Sequence, residues 1–338
     1  MSLGLHSEGF KTHGFDASER AVAMANENGL ASTVVDVFDP EIVEKMRSVQ
    51  PNPVLIHASP PCKGYSQASA STQDQKQMWN SLTTRAADII VKLKPPVAIL
   101  ENVLTARQND NWKRAVARLN ANGYHSVSVC LDACKIDIGV PQTRKRLFVV
   151  LCRTSGQDLT VAHKMNEWLE ECKRMMRSRS VTSIEQAIPE MKDKTLFIFP
   201  RRRENQCVFP SDRPAPCIRS MVFAKSSESL LKDNPVNAGP IDSAVVPDNA
   251  LALQLCGFPS DFKLGPHKVH NGLALGNVVV PAMGAFVARF AKQLIPLAGD
   301  GDQPGVSYVS HYPIRPVRFV GDVDDDDARP RRRRKIDD

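Results

Sequence analysis

Short apolar runs alternate with longer helical patterns over the first 152 residues of this 338-residue chain. The apolar runs are Val54–Ala58, Val97–Leu100 and Leu147–Leu151, and the helical patterns cover Asp74–Lys94 and Trp112–Asn122. Apolar runs of this length, bounded by turn residues, are typical of strands that are buried on both faces of a parallel sheet. The pattern therefore predicts an α/β fold.

The second half of the chain is less regular. Residues 162–178 have a charged helical pattern, and residues 179–246 are irregular and interrupted by prolines. Val278–Leu294 predicts a helix with Pro281 in its first turn, where proline is tolerated. We expect these later segments to add a small region and then return to the main domain.

The most informative local feature is the sequence Ser59-Pro60-Pro61-Cys62 at the end of the first apolar run. Proline cannot continue a central strand. The chain must turn at Pro60, which places Cys62 on a stiff loop at the strand's carboxyl end, where open α/β sheets bind ligands. A partly exposed cysteine held there is a candidate nucleophile. The alternative is a buried structural thiol, the commoner state of a single cysteine.

Two further strand edges carry charged side chains. Glu101 ends the second apolar run and points at the same crevice as Cys62. Arg144 and Arg146 precede the third run at alternate positions, so their side chains can face the same way. Taken singly, Glu101 also suits a carboxylate near a helix N-terminus, and the arginines suit surface ion pairs. Together the three types of group favour a site for one polar, planar substrate.

These pieces, with two later ones, resemble the DNA (cytosine-5) methyltransferase family. The matching strings are Pro60-Pro61-Cys62, Glu101-Asn102-Val103, Gln142-Thr143-Arg144-Lys145-Arg146, Leu255-Cys256-Gly257-Phe258-Pro259 and Gly276-Asn277-Val278-Val279. Each string alone is a weak signal, but all five occur in the family's order and at its usual spacings. The resemblance implies a Rossmann-like fold that uses S-adenosylmethionine, with a small irregular target-recognition region.

The family's chemistry implies a role for each matched residue. Cys62 adds to carbon 6 of cytosine, and the resulting enamine takes a methyl group from S-adenosylmethionine at carbon 5. Glu101 holds N3 and the exocyclic amine. Arg144 and Arg146 contact the O2 side of the base and a nearby phosphate, in an order that the sequence leaves open. The cytosine must be flipped out of the double-stranded DNA, and the resemblance also places Ser66 and Gln142 at the nucleic acid.

The same resemblance implies which residues bind the cofactor. Asp16 takes the ribose, and an acid at such a strand end can bind ribose hydroxyls. Asp36, at the end of a second strand predicted over residues 34–37, accepts from the adenine amine. Pro61, Leu82 and Asn277 match positions that line the cofactor pocket. For Asp16 the alternative is an N-cap of the following helix, and one residue can do both.

The amino terminus departs from the family's pattern. The family opens with a strand and a glycine-rich turn, whereas this sequence opens with what resembles the helix after that turn. A parallel sheet without this central strand leaves two neighbouring strands without partners. Either the true start lies upstream of Met1 or the protein is a degenerate methyltransferase, and the complete downstream motifs favour the first explanation.

Charge and the tail indicate how nucleic acid is bound. The formal net charge of +7 is compatible with a polyanionic partner. Arg201, Arg202 and Arg203 lie where the family places target recognition and can dock on phosphates; a solvated loop is equally consistent. From Gly299 the chain has no regular period and ends in acidic and basic blocks of a kind that is normally disordered.

The domains follow from these assignments. We expect a catalytic and cofactor domain over residues 1–155, a linker helix and short recognition region over 156–246, a return to the catalytic domain over 247–298, and a charged disordered tail over 299–338. Apolar residues make up 42% of the chain, enough for a sizeable core. The sequence contains no run of 18 or more apolar residues, so we expect no membrane span. The cysteines are scattered without the spacing of a metal site, so we expect no metal.

The scattered cysteines favour a reducing compartment with access to DNA, which is the nucleus in a eukaryotic source and the cytoplasm in a prokaryotic or viral one. We expect a monomer that binds double-stranded DNA and no membrane. Two other functions remain open at this point. One is methylation of tRNA by the related branch of the family, which carries a Cys-Phe-Thr string that we do not find here. The other is nucleic-acid binding without catalysis.

Overall fold

The computed structural model describes residues 1–62, 73–136, 140–156, 158–197, 208–218 and 244–299. The α-helices in these ranges are α1 Ser2–Ser7, α2 Glu19–Glu27, α3 Ile42–Val49, α4 Gln73–Leu93, α5 Asp110–Ala121, α6 Leu159–Arg177, α7 Ile184–Ala187, α8 Asn249–Leu255, α9 Lys268–Asn277 and α10 Pro281–Leu294. The strands are β1 Gly14–Asp16, β2 Ser32–Val34, β3 Leu55–Ala58, β4 Val97–Asn102, β5 Tyr124–Asp132, β6 Lys145–Arg153, β7 Thr195–Phe197, β8 Val208–Pro210 and β9 Ala244–Val245. Helices α4, α5 and α10 lie where the hydrophobic pattern predicts them.

The main sheet has four strands in the order β3-β4-β6-β5. Strands β3 and β4 are parallel, with Leu55 opposite Val97 and Ala58 opposite Leu100. Strand β6 runs antiparallel to both of its neighbours, so the prediction of a parallel sheet holds for β3 and β4 and is wrong for β6. The reversal matters for function because it brings the start of β6 to the edge where β3 and β4 end.

Side chains on the two faces of this sheet enter two apolar cores. Val97, Ile99, Phe148 and Val150 pack in a large core with residues of α6 and α10. Alternate residues of the same strands pack against α4 and α5 on the other face. Helices on both faces explain why these strands are apolar at every position rather than at every second one.

Strands β1 and β2 form a separate parallel pair. Phe15 of β1 packs against a small core that contains Val35, Ile42 and Ile89, and this core joins the pair to α4. In the part of the chain that the structure describes, β1 pairs only with β2, and β3 pairs only with β4. One edge of β1 and one edge of β3 thus have no strand partner there.

Helix α1 lies directly against α10 at a contact that requires glycine. A Cβ atom added to Gly4 would lie 2.4 Å from the amide nitrogen of Ala285 and 2.4 Å from the carbonyl oxygen of Pro281. Both are backbone atoms, which cannot move aside as a flexible side chain can. The close approach of the two helices therefore depends on Gly4.

We expect Gly4→Ala to lower the free energy of unfolding by at least about 2 kcal/mol, because the added methyl group overpacks a backbone contact. Gly265→Ala is the matched control, since a Cβ at Gly265 meets only Asn271 Oδ1 at 3.9 Å, an ordinary contact distance. Urea unfolding of both variants tests this. Equal midpoints for the two variants would contradict the proposed contact.

Residues 179–246, predicted from the sequence to be irregular, contain regular elements in the parts that the structure describes. Strands β7, β8 and β9 form a small sheet in the order β8-β7-β9, and α7 begins with a capping box in which Ser183 and Gln186 bond each other's backbone amides. Each strand has three residues or fewer. Such strands are too short to show the alternation by which a sequence reveals a strand.

One stretch of the described chain, His270–Leu297, has the length and composition of a membrane-crossing helix, with half of its most apolar window buried. The sequence predicted no span. The stretch is interrupted between Asn277 and Pro281, where α9 ends and α10 begins. Helix α10 packs into the large core, which accounts for its apolar character.

Candidate active site

Three polar side chains form a row across the edge where β3 and β4 end. Ala58 lies opposite Leu100. The residues that follow them, Ser59 and Glu101, therefore lie side by side. The Ser59 hydroxyl donates a hydrogen bond to Glu101 Oε2. On the other side, Arg146 Nε lies 3.2 Å from Glu101 Oε1. The carboxylate is therefore held by a neutral donor from one neighbouring strand and a cation from the other.

The Glu101–Arg146 pair is almost completely enclosed. Glu101 is 2% exposed and Arg146 is 7% exposed. Burial raises the pKa of Glu101, while Arg146 and the hydrogen bond from Ser59 oppose that rise. A carboxyl group with a raised pKa, placed at the ligand-binding edge of a sheet, is suited to exchange a proton with a bound molecule.

The Pro-Pro-Cys loop is attached to the same strand end. Asn102 Nδ2 donates to the carbonyl oxygen of Pro60 at 2.8 Å, and Asn102 Oδ1 accepts from the amide of Val103 at 2.9 Å. The chain is thus fixed at Ser59 and again at Pro60, two residues before Cys62. The Cys62 thiol is free and half-buried, so it does not belong to the apolar core.

Arg144 is placed differently from Arg146. Its side chain is fully buried, and it donates to the carbonyl oxygens of Val278 at 2.6 Å, Gly276 at 2.8 Å and Ile218 at 3.2 Å. Burial lowers the pKa of its guanidinium, and the carbonyl oxygens compensate for part of the lost hydration. The sequence did not distinguish the positions of the two arginines, and the structure does. Arg146 pairs with Glu101, and Arg144 joins distant segments of backbone.

Gln142 lies beside Arg144 inside the protein. It is fully buried; its Nε2 donates to the Leu255 carbonyl at 3.1 Å, and its Oε1 accepts from the Ile218 amide at 3.1 Å. This geometry does not present Gln142 to nucleic acid, which differs from the contact expected from the sequence. The residue instead joins the end of α8 to the segment that contains Ile218.

We expect Arg144→Lys to lower the free energy of unfolding by at least about 3 kcal/mol, because a single ammonium group cannot reach three carbonyls in two segments and leaves some without donors. Arg118→Lys is the control. Arg118 pairs with Asp88 at 2.7 Å but is half-exposed, and such pairs contribute about 1 kcal/mol or less. Urea unfolding measures both variants, and a loss at Arg144 no larger than that at Arg118 would contradict the structural role.

The residues expected to bind the cofactor lie mainly on the surface. Asp16 and Asp36 are exposed at the carboxyl ends of β1 and β2. Each carboxylate accepts one amide, from Ser18 and Phe38 respectively. The alternative of Asp16 as N-cap is wrong, because Ser18 occupies the N-cap and accepts from the Ala21 amide. Both carboxylates retain free acceptor capacity, which suits ribose hydroxyls and an adenine amine.

The other three expected cofactor residues differ in exposure. Pro61 is exposed before Cys62, and Leu82 is half-buried on α4. Asn277 is exposed at the end of α9, between the two residues whose carbonyl oxygens accept from Arg144. Ser66, Arg201, Arg202 and Arg203 lie outside the described residues. In the described ranges, no group of three or more His, Cys, Asp or Glu side chains is arranged to hold a metal ion.

His57 lies two residues before Ser59 and was not predicted to be part of the site. Its Nε2 atom is enclosed without a hydrogen-bond partner among the described residues. Burial, with a smaller contribution from the Met1 ammonium group, lowers the pKa of His57 to about 3. The imidazole is therefore neutral in the folded protein at neutral pH, and charging it opposes folding.

This shift predicts a loss of stability in acid. The pKa of His57 is near its ordinary value of 6.5 in the unfolded chain and about 3 in the folded protein, so the unfolded state binds an additional proton between these values. The free energy of unfolding should fall with pH from about 6.5 towards 3, at up to about 1.4 kcal/mol per pH unit. His57→Gln should reduce this slope relative to the wild type. Identical slopes would contradict the prediction.

Residues Ser59 and Asn102 were also absent from the predicted site. Both make contacts across 42 positions of the chain, and neither belongs to a local pattern that identifies such a partner. The parallel register of β3 and β4 is the signal that finds them, since it aligns the loop after β3 with the end of β4. This register places Ser59 beside Glu101.

The chain is similar in sequence to known methyltransferases. A family model described as C-5 cytosine-specific DNA methylase matches residues 1–204. The Type II methyltransferase M.HgiDI of Herpetosiphon aurantiacus is 28% identical over 237 residues, which cover 70% of this chain and 72% of that protein. The Type II methyltransferase M.AplI of Arthrospira platensis is 28% identical over 310 residues, which cover 87% and 83% of the two chains.

Two solved structures are similar in fold. The Entamoeba histolytica methyltransferase EhMeth aligns with a TM-score of 0.59 at 16% identity, covering 86% of this chain and 95% of that chain. A putative DNA modification methyltransferase encoded within an E. coli prophage aligns with a TM-score of 0.56 at 14% identity, covering 87% and 96%. At these identities the likeness shows the fold alone, which is a Rossmann-like methyltransferase fold. Since the family model spans well over half of the chain, including the Pro-Pro-Cys loop, Glu101 and Arg146, this protein belongs to the C-5 cytosine-specific DNA methylase family.

Proposed function

We propose that this chain transfers a methyl group from S-adenosylmethionine to carbon 5 of a cytosine that is flipped out of double-stranded DNA. The observation that carries the proposal is the buried pair of Glu101 and Arg146, which lies at the strand end to which the Pro-Pro-Cys loop is attached. Cytosine needs a carboxyl group facing its N3 and amine edge and a cation near its O2. This pair supplies both groups at one edge of the sheet.

Cys62 acts as the nucleophile. Its thiolate adds to carbon 6 of the ring, and the electron pair released from the C5–C6 double bond makes carbon 5 reactive. Glu101 supplies a proton or a hydrogen bond at N3, so that negative charge does not accumulate on the ring. After alkylation a base removes the proton from carbon 5, the electrons re-form the C5–C6 double bond, and the thiolate of Cys62 leaves.

The cofactor is proposed to lie against the carboxyl ends of β1 and β2. Asp16 would accept from ribose hydroxyls, Asp36 from the adenine amine, and Pro61, Leu82 and Asn277 would line the pocket. When bound there, S-adenosylmethionine supplies an electrophilic methyl group to carbon 5. Arg144 would contribute by fixing Gly276 and Val278 on both sides of Asn277, without contact to the substrate.

Flipping of the base follows from the enclosure of Glu101. A carboxylate that is 2% exposed cannot reach the edge of a base that remains stacked and paired in double-stranded DNA, so the cytosine must enter the pocket. Contacts to the phosphates are proposed for Arg201, Arg202, Arg203 and Ser66. Contacts of this kind position the protein on DNA without specifying the sequence.

The proposal is tested with the full chain and S-adenosylmethionine carrying a labelled methyl group. We expect label in double-stranded DNA, recovered after digestion as 5-methylcytosine, and little label in tRNA under the same conditions. Label in tRNA but not in DNA would replace the proposed substrate. No label in either, together with no binding of S-adenosylmethionine by calorimetry, would instead indicate a nucleic-acid-binding protein without catalysis.

A further inference from the structure

The carboxylate of Glu101 has a second support that does not come from a charged group. The Ser59 hydroxyl donates to Glu101 Oε2, while Arg146 occupies Oε1 from the opposite side. A carboxylate held by a cation at one oxygen alone can still rotate about its terminal bond. Two donors on different oxygens fix the plane of the carboxylate, and each oxygen keeps a lone pair for a ligand.

We propose that Ser59 is a positioning residue, which orients the Glu101 carboxylate for the base and links that orientation to the Cys62 loop. The inference rests on the function proposed above for Glu101. Ser59 is the first residue after β3, and Pro60, the next one, is bonded through its carbonyl oxygen to Asn102. Thus the Cys62 loop bonds the end of β4 at Glu101 and again at Asn102.

Two further groups with positive charge act on Glu101 besides Arg146. They are Arg144 from the loop before β6 and the Met1 amino group at the start of α1, whose own pKa burial lowers to about 6. His57, the nearest imidazole on β3, is neutral because its pKa is lowered to about 3. Every one of the cations lowers the pKa of Glu101, and so does the hydrogen bond from Ser59. Removing the hydroxyl should therefore move the ionisation of Glu101 to higher pH, with all the cations still in place.

Ser59 suits substitution because it is exposed, so that Ser59→Ala leaves no buried cavity. Ser59→Thr retains the hydroxyl and is the matched control. Glu101 ionisation is followed by the infrared band of its carboxyl group, which is identified by its loss in Glu101→Gln. We expect the titration of Ser59→Ala to lie at higher pH than that of the wild type and of Ser59→Thr. Coincident titrations of all three would overturn the inference.

Catalysis gives a second readout. We expect Ser59→Ala to lower kcat for methyl transfer by about 10- to 100-fold, as for the loss of a hydrogen bond to a charged group, with KM for DNA unchanged. The limb of the pH–rate profile that reports Glu101 should shift to higher pH, and Ser59→Thr should restore both. A fall in kcat with an unmoved limb would indicate a merely structural role and overturn the proposal.

The two experiments separate this inference from the proposed function. If the wild-type chain transfers no methyl group, the proposed function fails, while the infrared titration still decides whether Ser59 controls Glu101. If the wild type is active and Ser59→Ala matches it in rate, pH profile and titration, the inference fails and the proposed function stands.

Discussion

Replacing Cys62 by serine is expected to lower methyl transfer to cytosine by at least about 1000-fold, a loss typical of an essential nucleophile. A hydroxyl group has nearly the size of a thiol but is a much weaker nucleophile at neutral pH. The half-buried position of Cys62 means that the change should leave the fold and the unfolding midpoint nearly unaltered. Rates are measured with the labelled cofactor under single-turnover conditions.

Cys130→Ser is the matched control for this prediction. Cys130 is also a free, half-buried cysteine, but it lies within β5 and burial raises the pKa of its thiol. A thiol whose pKa is raised is a poor nucleophile at neutral pH. We expect Cys130→Ser to keep most of the activity. Equal losses at the two positions would remove Cys62 from the proposed mechanism.

The second large effect is expected at Glu101. Glu101→Gln preserves size and one oxygen acceptor but removes the group that holds a proton for N3, and we expect kcat to fall by about 100- to 1000-fold. Glu44→Gln is the control, because Glu44 also bonds an arginine, Arg47 at 3.1 Å, but on the surface. Its rate should not change.

Glu101→Ala should also destabilise the protein. It leaves the guanidinium of Arg146, which is 7% exposed, without its carboxylate, and removing one partner from a buried ion pair costs about 3 to 5 kcal/mol. The combined result would distinguish the two functions of Glu101: the glutamine variant reports mainly the chemistry, and the alanine variant adds the loss of the ion pair. An alanine variant as stable as the wild type would show that the pair is not enclosed as described.

The sequence predicted the strand ends because proline and charge interrupt otherwise apolar runs there. Cys62, Glu101 and Arg146 lie at such interruptions. The parallel direction of β3 and β4 brings Cys62 and Glu101 to one edge, whereas Arg146 reaches that edge because β6 is antiparallel. The antiparallel direction of β6 has no comparable signal. Parallel and antiparallel strands that are buried on both faces have the same apolar pattern.

The assignment of the two arginines illustrates what a local pattern leaves open. Arg144 and Arg146 are two positions apart, so alternation predicts the same face for both. Their surroundings differ because Arg144 meets Gly276 and Val278, more than 130 positions along the chain. Only the packing of α9 and α10 against the sheet decides which guanidinium faces Glu101 and which joins backbone segments.

The central claim is a covalent bond between a sulfur atom and a pyrimidine ring, and DNA that contains 5-fluorocytosine tests it most directly. Fluorine at carbon 5 cannot leave as a proton does, so the adduct cannot resolve after methyl transfer. With S-adenosylmethionine present, the account predicts a protein–DNA complex that survives denaturation, with the modified base on the Cys62 peptide by mass spectrometry and no complex for Cys62→Ser. Methylation of ordinary cytosine by the same preparation without any adduct on Cys62 would contradict it.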